Sequence, residues 1–224
     1  MYLKHSLLVL LLLIVSVGVA ACGAQVVSPD NPSPSTLDVT IQVLDEAAPS
    51  DGKNVVTMQL LSNGSVVQFT HGENITCNGT PLAFNGLAYA VRVPQAPAGG
   101  MYKFVYTWNS GSATINLPVP QRPVVTSPTP GLTVTRTSSL TINYVPDSGS
   151  GVDASAGDSS TGIDRNINEP DNGTYSGLDV SSLHAGPGVI SIIRIFQGTP
   201  SGTGFKSVQT TYRSSSVDVP VTWA

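Results

Sequence analysis

Apolar and polar residues alternate with a period of two along most of this chain after residue 36. Such alternation is typical of β-strands that bury one face. Asn-Gly pairs between the runs supply turns, so the pattern predicts a series of short antiparallel strands. The clearest runs in the first half cover residues 37–43, 56–60, 87–93, 102–108 and 113–119.

The pattern stops at the proline-rich run 118–123 and then resumes. Proline cannot continue a sheet ladder, so this run predicts a domain boundary. Residues 189–196 are apolar on both faces, except for Ser191 and Arg194, and predict a central strand. Two domains, 37–119 and 120–224, are therefore expected, and a single sandwich or barrel of about 190 residues is the alternative. Further strands are expected at 132–135, 140–145, 175–180, 205–212 and 217–223.

A faint repeat supports two similar halves, because residues 98–119 and 185–221 each begin with glycines and end in a Pro-Val pair. The run from Ala98 to Phe104 resembles the entry to strand F of immunoglobulin-like domains, with Tyr102 at the tyrosine-corner position. Phe104 stands where antibody domains keep a cysteine, and Ile190 stands where the second half would have its tyrosine. The resemblance implies an all-β fold of two tandem Ig-like antiparallel β-sandwiches, after a signal peptide and a Pro-rich linker.

The N-terminus is an uncharged apolar stretch, Leu7 to Val17, followed by small residues. This stretch has the length of a signal-peptide core and is too short to span a membrane. The run Val19-Ala20-Ala21-Cys22-Gly23 resembles the lipobox of bacterial lipoproteins. The resemblance implies a signal peptide of residues 1–21, cleavage between Ala21 and Cys22, and a lipid on the Cys22 thiol. An ordinary secretory signal cleaved near Ala20 or Ala21 is the alternative.

Residues 22–36 would then comprise the lipidated cysteine and a Pro/Ser linker. Pro29, Pro32 and Pro34 predict an extended spacer. The mature chain of 203 residues carries 9 basic and 14 acidic side chains, a net charge of −5. This charge argues against a nucleic-acid partner, and it leaves membrane affinity to the lipid.

The chain contains two cysteines. If Cys22 is acylated, Cys77 has no partner within the chain, and no disulfide is expected. A buried, inert thiol is the favoured interpretation of Cys77, and an exposed thiol would predict a covalent dimer. If Cys22 is not lipidated, a Cys22–Cys77 bridge becomes possible.

Residues with catalytic potential are few. His71 and His184 both precede loop-forming residues and predict exposed loop histidines. Gly157-Asp158-Ser159 is similar to a block of SGNH-type hydrolases, but the Asp-x-x-His of that family is missing. We therefore expect no catalytic residues, no cofactor and no enzyme activity.

The polar stretch 146–172 is acidic, with interleaved glycines and serines. Calcium prefers such oxygen-rich segments, and Asp153, Asp158 and Asp164 are weak candidate ligands. The EF-hand spacing is absent, however, and a solvated loop or hairpin is the favoured alternative.

Most aromatic residues lie in the alternating runs and predict core packing, which leaves Tyr175 and Tyr212 as candidates for sugar stacking. Edge strands near Val66–Thr70 and Ser207–Arg213 could accept a partner strand. The chain is thus expected to be a lipid-anchored protein of the bacterial cell surface, held on the cell membrane or outer membrane. It would be a non-enzymatic module for binding, adhesion or structure with an unknown protein or glycan partner. A carbohydrate-binding module is the alternative, and a small hydrolase is the least favoured.

Overall fold

The computed structural model describes residues 25–47, 49–147, 149 and 151–224, without the side chains of residues 164–168. Within these residues the chain forms nineteen strands and one 3₁₀ turn, Pro34–Thr36. The predicted all-β class is therefore confirmed. The signal peptide, its cleavage site and Cys22 lie outside the described residues. None of the described helical segments is long and apolar enough to cross a membrane.

The first half forms an Ig-like sandwich, called sandwich 1. In one sheet β3 pairs with β2 and β8, and in the facing sheet β9 pairs with β5 and β10. These pairings are the A-B-E and C-F-G sets of immunoglobulin-like domains. The strands are β1 (Val26–Val27), β2 (Asp38–Asp45), β3 (Lys53–Ser62), β4 (Ser65–Val67), β5 (Asn74–Cys77), β6 (Thr80–Pro81), β7 (Ala83–Phe84), β8 (Tyr89–Pro94), β9 (Met101–Trp108) and β10 (Gly111–Pro118).

The second half, called sandwich 2, repeats the same plan. Here β13 pairs with β11 and β16, while β17 pairs with β14 and β19. The polar stretch 146–172 forms mostly the β14–β15 hairpin, which is one of the two forms expected for it. The strands are β11 (Val125–Ser127), β12 (Thr133–Val134), β13 (Leu140–Tyr144), β14 (Gly151–Asp158), β15 (Gly162–Glu169), β16 (Thr174–Leu178), β17 (Gly186–Gly198), β18 (Ser207–Ser215) and β19 (Val219–Trp223).

One hairpin joins the two sandwiches. The long strand β17 continues past sandwich 2 and turns into β18, which pairs in parallel with β2 from Ser207↔Asp38 to Ser214↔Asp45. Sheets from both halves thereby merge into one sheet of twelve strands, counted over the described residues. The predicted central strand at 189–196 is confirmed as part of β17.

Two hydrophobic cores follow from this arrangement. The core of sandwich 1 contains Tyr102, Phe104 and Tyr106, and it also takes Val208 and Tyr212 from β18. The core of sandwich 2 is built from aliphatic residues around Tyr144, Tyr175 and Trp223. The boundary between 119 and 120 stays a prediction, and packing crosses it because β18 completes the first core.

The predicted edge strands are wrong over most of their length. Residues 207–213 belong to β18, which pairs with β2 over residues 207–214 and with β17 over residues 210–215. Strand β4 lies between β1 and β3. The outermost long strands of the described sheets are β10 and β15, with eight residues each.

The proline-rich segment is also different from the expected extended spacer. Strand β1 pairs with β4, and both Pro32 and Pro34 are buried. The hydroxyl of Tyr106 donates to the carbonyl of Pro32 at 2.7 Å. The segment packs on sandwich 1 because its backbone carbonyls and prolines find partners there.

The molecule has two ends that matter below. The near pole is the end of sandwich 1 formed by the start of β2, the end of β9 and the hairpin tip 199–206. The far pole is the end of sandwich 2 formed by the end of β14 and the start of β17. Following β17 from Gly186 to Gly198, and then β18 from Thr210 to Ser207, separates the poles by roughly 50 Å at about 3.3 Å per residue.

Candidate functional site

Tyr102 forms the expected tyrosine corner. Its hydroxyl accepts hydrogen bonds from the backbone N–H of Ala96 at 3.1 Å and from Nδ2 of Asn54 at 2.8 Å. Burial raises the pKa of Tyr102, so the hydroxyl stays neutral. The tyrosine-corner position that the resemblance implies for Tyr102 is confirmed.

A buried carboxylate lies beside this corner, between the two sandwiches. Asp45 accepts hydrogen bonds from Asn54 at 2.8 Å and from Ser214 at 3.2 Å, and it forms an ion pair with Arg122. These partners come from β3, β18 and the connector between the sandwiches. A buried charge needs such compensation, so Asp45 ties all three segments together.

A second buried ion pair lies on the sandwich 2 side of this region. Arg194 is 1% exposed, and its Nε donates to Oδ2 of Asp171 at 2.7 Å, while Nη1 donates to the carbonyl of Gln121 at 3.1 Å. Arg213 of β18 pairs with Asp153 of β14 at 2.9 Å. We call this group around Asp45, Arg194 and Arg213 the polar junction.

Cys77 lies in the core of sandwich 1 and is fully buried. Burial raises the pKa of its thiol to about 12. A thiol with this pKa forms almost no thiolate at neutral pH and is unreactive. The predicted burial of Cys77 is confirmed.

The structure does not bring the calcium candidates together. Asp153 and Asp158 are five residues apart on β14, so they lie on opposite faces and roughly 17 Å apart along the strand. Calcium binds its oxygen ligands at about 2.3–2.6 Å, and one ion cannot reach both carboxylates. Asp164 has its side chain outside the described part of the chain.

Asp158 instead organises the far pole. Its carboxylate accepts hydrogen bonds from the backbone N–H groups of Ser160 at 2.7 Å, Thr161 at 2.6 Å and His184 at 2.6 Å. Nδ1 of His184 lies 2.9 Å from the same carboxylate. Burial acts to raise the pKa of Asp158, but these hydrogen bonds outweigh it and hold the pKa well below its ordinary value.

Asp158, Ser160 and His184 have the residue types of a hydrolase triad, but their geometry differs. A triad needs the carboxylate on one ring nitrogen and the serine on the other. Here Ser160 Oγ lies 3.3 Å from Nδ1, the nitrogen that Asp158 already occupies. Ser160 Oγ also donates to Asp158 at 2.9 Å. The cluster therefore supports a turn and holds no activated serine.

Sequence reasoning missed this cluster. Asp158 and His184 are 26 residues apart, and no spacing rule connects them. The expectation that His184 is an exposed loop residue is confirmed, since its side chain is 72% exposed.

A second mixed cluster lies at the near pole. One ligand atom from each of Asp30, His71 and Glu73 lies within 4.8 Å of the others. Both carboxylate oxygens of Glu73 already accept hydrogen bonds, from the N–H of Asn31 at 2.7 Å and the N–H of His71 at 3.0 Å. These hydrogen bonds fasten the N-terminal segment to the loop before β5, and they account for the cluster without a metal.

The proposed sugar-stacking residues are wrong. Tyr175 and Tyr212 are 0% and 1% exposed and lie in the two cores. Burial and the nearby Asp45 carboxylate raise the pKa of Tyr212. The core positions predicted for Tyr102, Tyr106 and Trp223 are confirmed. Trp108 is half-buried and stacks on Tyr106 with ring centroids 5.3 Å apart.

No protein-family model matches this chain, and no curated protein matches it. Among solved structures, the I9–I11 tandem from titin is 12% identical, with 84% of this chain and 66% of that chain covered and a TM-score of 0.28. The Bacteroides ovatus mixed-linkage glucan utilization locus protein SGBP-B, in complex with a heptasaccharide, is 12% identical, with 90% and 65% covered and a TM-score of 0.27. Fibronectin(III)-like modules of Clostridium thermocellum CbhA are 18% identical, with 83% and 92% covered and a TM-score of 0.23.

This chain spans just under two thirds of the length of the first two of those chains. All three TM-scores lie below 0.5, so these similarities carry no argument about function. The Ig-like assignment rests on the strand pairings described above.

Proposed function

We propose that this chain is a lipid-anchored, extracytoplasmic and non-enzymatic module of the bacterial cell surface that binds a partner through a stiff body of two sandwiches. The observation that supports this proposal is the sheet shared by the two sandwiches. Domains joined by a simple linker move relative to each other by default, unless their interface is large. Here β18 forms an eight-residue ladder with β2, and this ladder opposes hinge motion.

The polar junction adds to this stiffness. Bending the two sandwiches apart would separate Asp45 from Arg122 or Asp153 from Arg213. Leaving a buried charge unpaired is strongly unfavourable. A stiff two-sandwich unit suits a spacer or a presenting module better than a flexible tether would.

The partner-binding surface in this proposal is the outer edge of β10. This strand has the sequence GSATINLP and carries no charge along its eight residues. Edge strands that avoid partners usually carry lysine, proline or a bulge, and the one proline of β10 is its last residue, Pro118. An unprotected edge suits the addition of an extended peptide segment from a partner protein.

The anchor is tested by comparing the two cysteines. Cys22→Ala should move the protein from the membrane pellet to the soluble fraction and abolish its labelling by a radioactive fatty acid. Cys77→Ala is the matched control and should leave both properties unchanged. Retention of the Cys22→Ala protein in the membrane pellet would show that the anchor proposal is wrong.

The outer edge of β10 is tested with two separate variants, each of which adds one lysine to the same sheet. Asn116→Lys puts a lysine on the exposed face of β10, whereas Thr107→Lys puts it on the neighbouring inner strand β9. The labelled soluble chain should bind intact cells saturably, with weaker binding for Asn116→Lys and unchanged binding for Thr107→Lys. Equal binding of the two variants would exclude β10 as the contact edge.

A further inference from the structure

The N-terminal segment leaves almost no free chain between Cys22 and the folded body. The backbone of Gln25 already accepts a hydrogen bond from Val66 N–H at 2.9 Å, and Val27 accepts one from Gln68 N–H at 2.9 Å. Only Gly23 and Ala24 separate Cys22 from this ladder. Three residue steps reach at most about 11 Å when fully extended.

Further contacts fix the segment over its whole described length. Asn31 Oδ1 accepts a hydrogen bond from Asn109 N–H at 2.9 Å, and the Asn31 N–H donates to Glu73 at 2.7 Å. The carbonyl of Pro34 accepts a hydrogen bond from Lys206 N–H at 3.2 Å. The segment is therefore part of sandwich 1, and its prolines add no length to the tether.

The direction of the segment identifies the end of the molecule that meets the lipid. Strand β1 runs parallel to β4, and Val26 lies opposite Val66, which also pairs with Leu61 near the end of β3. Gln25 therefore lies level with the exposed turn Asn63–Gly64 at the near pole.

We propose that the near pole rests on the headgroup surface of the lipid bilayer, with the far pole pointing away from it. This inference rests on the proposed lipidation of Cys22. The surface nearest the anchor is the Asn63–Gly64 turn together with two exposed aliphatic side chains, Val26 at 43% and Leu87 at 49% exposure.

The charges around this part of the near pole indicate that the lipidated tether, and not electrostatic attraction, holds it against the bilayer. Asp30 and Glu73 make the neighbouring loops acidic, and Lys206 is already paired with Asp38 at 2.7 Å. Attraction to anionic lipids needs clusters of lysine or arginine. The short acylated tether and the exposed aliphatic residues therefore supply the contact.

The orientation is tested with a fluorophore on a single cysteine of the full lipidated protein in vesicles. Leu87→Cys places the label at the near pole, and Ser159→Cys places it on the exposed far-pole turn. Cys77 does not compete for the label because it is buried. The vesicles carry a quencher on a fraction of their lipid headgroups.

Loss of most of the emission is expected for the Leu87→Cys label, with little loss for the Ser159→Cys label. Insertion of a long Gly/Ser segment between Ala24 and Gln25 should restore the emission of the Leu87→Cys label. Equal quenching at both positions, or quenching unaffected by the insertion, would overturn the orientation while the protein still floats with the vesicles. Failure of the unaltered protein to float with the vesicles would overturn the lipid anchor and the orientation together.

Discussion

The two sandwiches share one strand plan but fix the start of strand F in different ways. In sandwich 1 the Tyr102 hydroxyl at the start of β9 accepts a hydrogen bond from Ala96. In sandwich 2 the matching position near the start of β17 is Ile190, which has no hydroxyl. Trp223 of the last strand, β19, provides a hydrogen bond instead, because its Nε1 donates to the carbonyl of Gly157 at 3.0 Å.

The indole of Trp223 requires a particular neighbour. A Cβ at Gly188 would lie 1.8 Å from Nε1 of Trp223 and 2.6 Å from the carbonyl of Gly157. A side chain at this position and the indole cannot both fit. The same strand of the sandwich plan, strand F, is thus held in two ways. In sandwich 1 the Tyr102 hydroxyl holds it, and in sandwich 2 the Trp223 ring, which lies over Gly188, does so.

The sandwiches also depend on each other unequally. Sandwich 1 receives β18 and the N-terminal segment, while sandwich 2 supplies the hairpin and keeps the smaller core. Damage to sandwich 2 should therefore reach sandwich 1 through β18.

Breaking the polar junction should have the largest effect. Arg194→Met leaves Asp171 buried without its guanidinium, and we expect the free energy of unfolding to fall by about 3–5 kcal/mol. Denaturant titration measures this loss. Arg92→Met removes an exposed ion pair with Asp51 and should cause no resolvable change. Similar effects of the two variants would contradict a structural role for burial at the junction.

Gly188→Ala tests how sandwich 2 fixes its strand F. Because the added methyl group overlaps Trp223, we expect a loss of about 3 kcal/mol, as for overpacked cores. Gly162→Ala is the control, since nothing lies within 4 Å of its added Cβ. The alkylation rate of Cys77, in a chain with Cys22→Ala, reports opening of sandwich 1. A faster rate in Gly188→Ala would confirm coupling through β18, and an unchanged rate would show two independent units.

Tyr102→Phe tests how sandwich 1 fixes its own strand F. It leaves the Ala96 N–H without its acceptor, while Nδ2 of Asn54 keeps only its hydrogen bond to Asp45, and such buried unpaired groups cost about 1–3 kcal/mol. Thermal or denaturant unfolding should show a loss of about 2 kcal/mol within this range. A neutral result would mean that the hydroxyl contributes nothing to the corner.

Tyr106→Phe should have a smaller effect that is confined to the N-terminal segment. It removes one hydrogen bond to Pro32, which is worth about 1 kcal/mol. Faster hydrogen exchange is expected in residues 25–37, with β17 unchanged. An equal increase in both regions would show that the segment does not open separately.

The smallest expected effect is on the pH dependence of the melting temperature, through Asp158 at the far pole. The pKa of Asp158 is lowered in the folded protein, so its contribution to stability is present above the ordinary pKa of aspartate, about 4, and is lost as the pH falls below that value. Asp158→Asn should remove part of the acid sensitivity of the melting temperature between neutral pH and pH 3. Parallel curves for the two proteins would contradict this role of the carboxylate.

Much of the fold follows from local pattern. The period of two places Val39, Ile41 and Val43 on one face of β2, and all three are buried. The tyrosine corner was also predictable, because the run from Ala98 to Phe104 resembles the entry to strand F of immunoglobulin-like domains. The far-pole cluster was not, since Asp158 and His184 meet only when β14 and β17 pair.

The amino-acid sequence by itself determined the all-β class and the aromatic core of sandwich 1, because alternation fixes which side of a strand is apolar. It favoured a buried Cys77 but left an exposed thiol open, and the structure decided between them. Only the tertiary structure decided where the strand edges lie. Strand β18 has the alternating pattern of a half-buried strand, which does not tell whether the strand is central or at an edge. It is central because its backbone pairs with the free edge of β2. The proline-rich segment likewise looks like a spacer, but hydrogen bonds from Val66, Tyr106 and Lys206 hold it on the folded body. The pairing of β18 and the position of the N-terminal segment depend on which backbone groups meet when distant parts of the chain pack together, and a local sequence pattern does not contain that information.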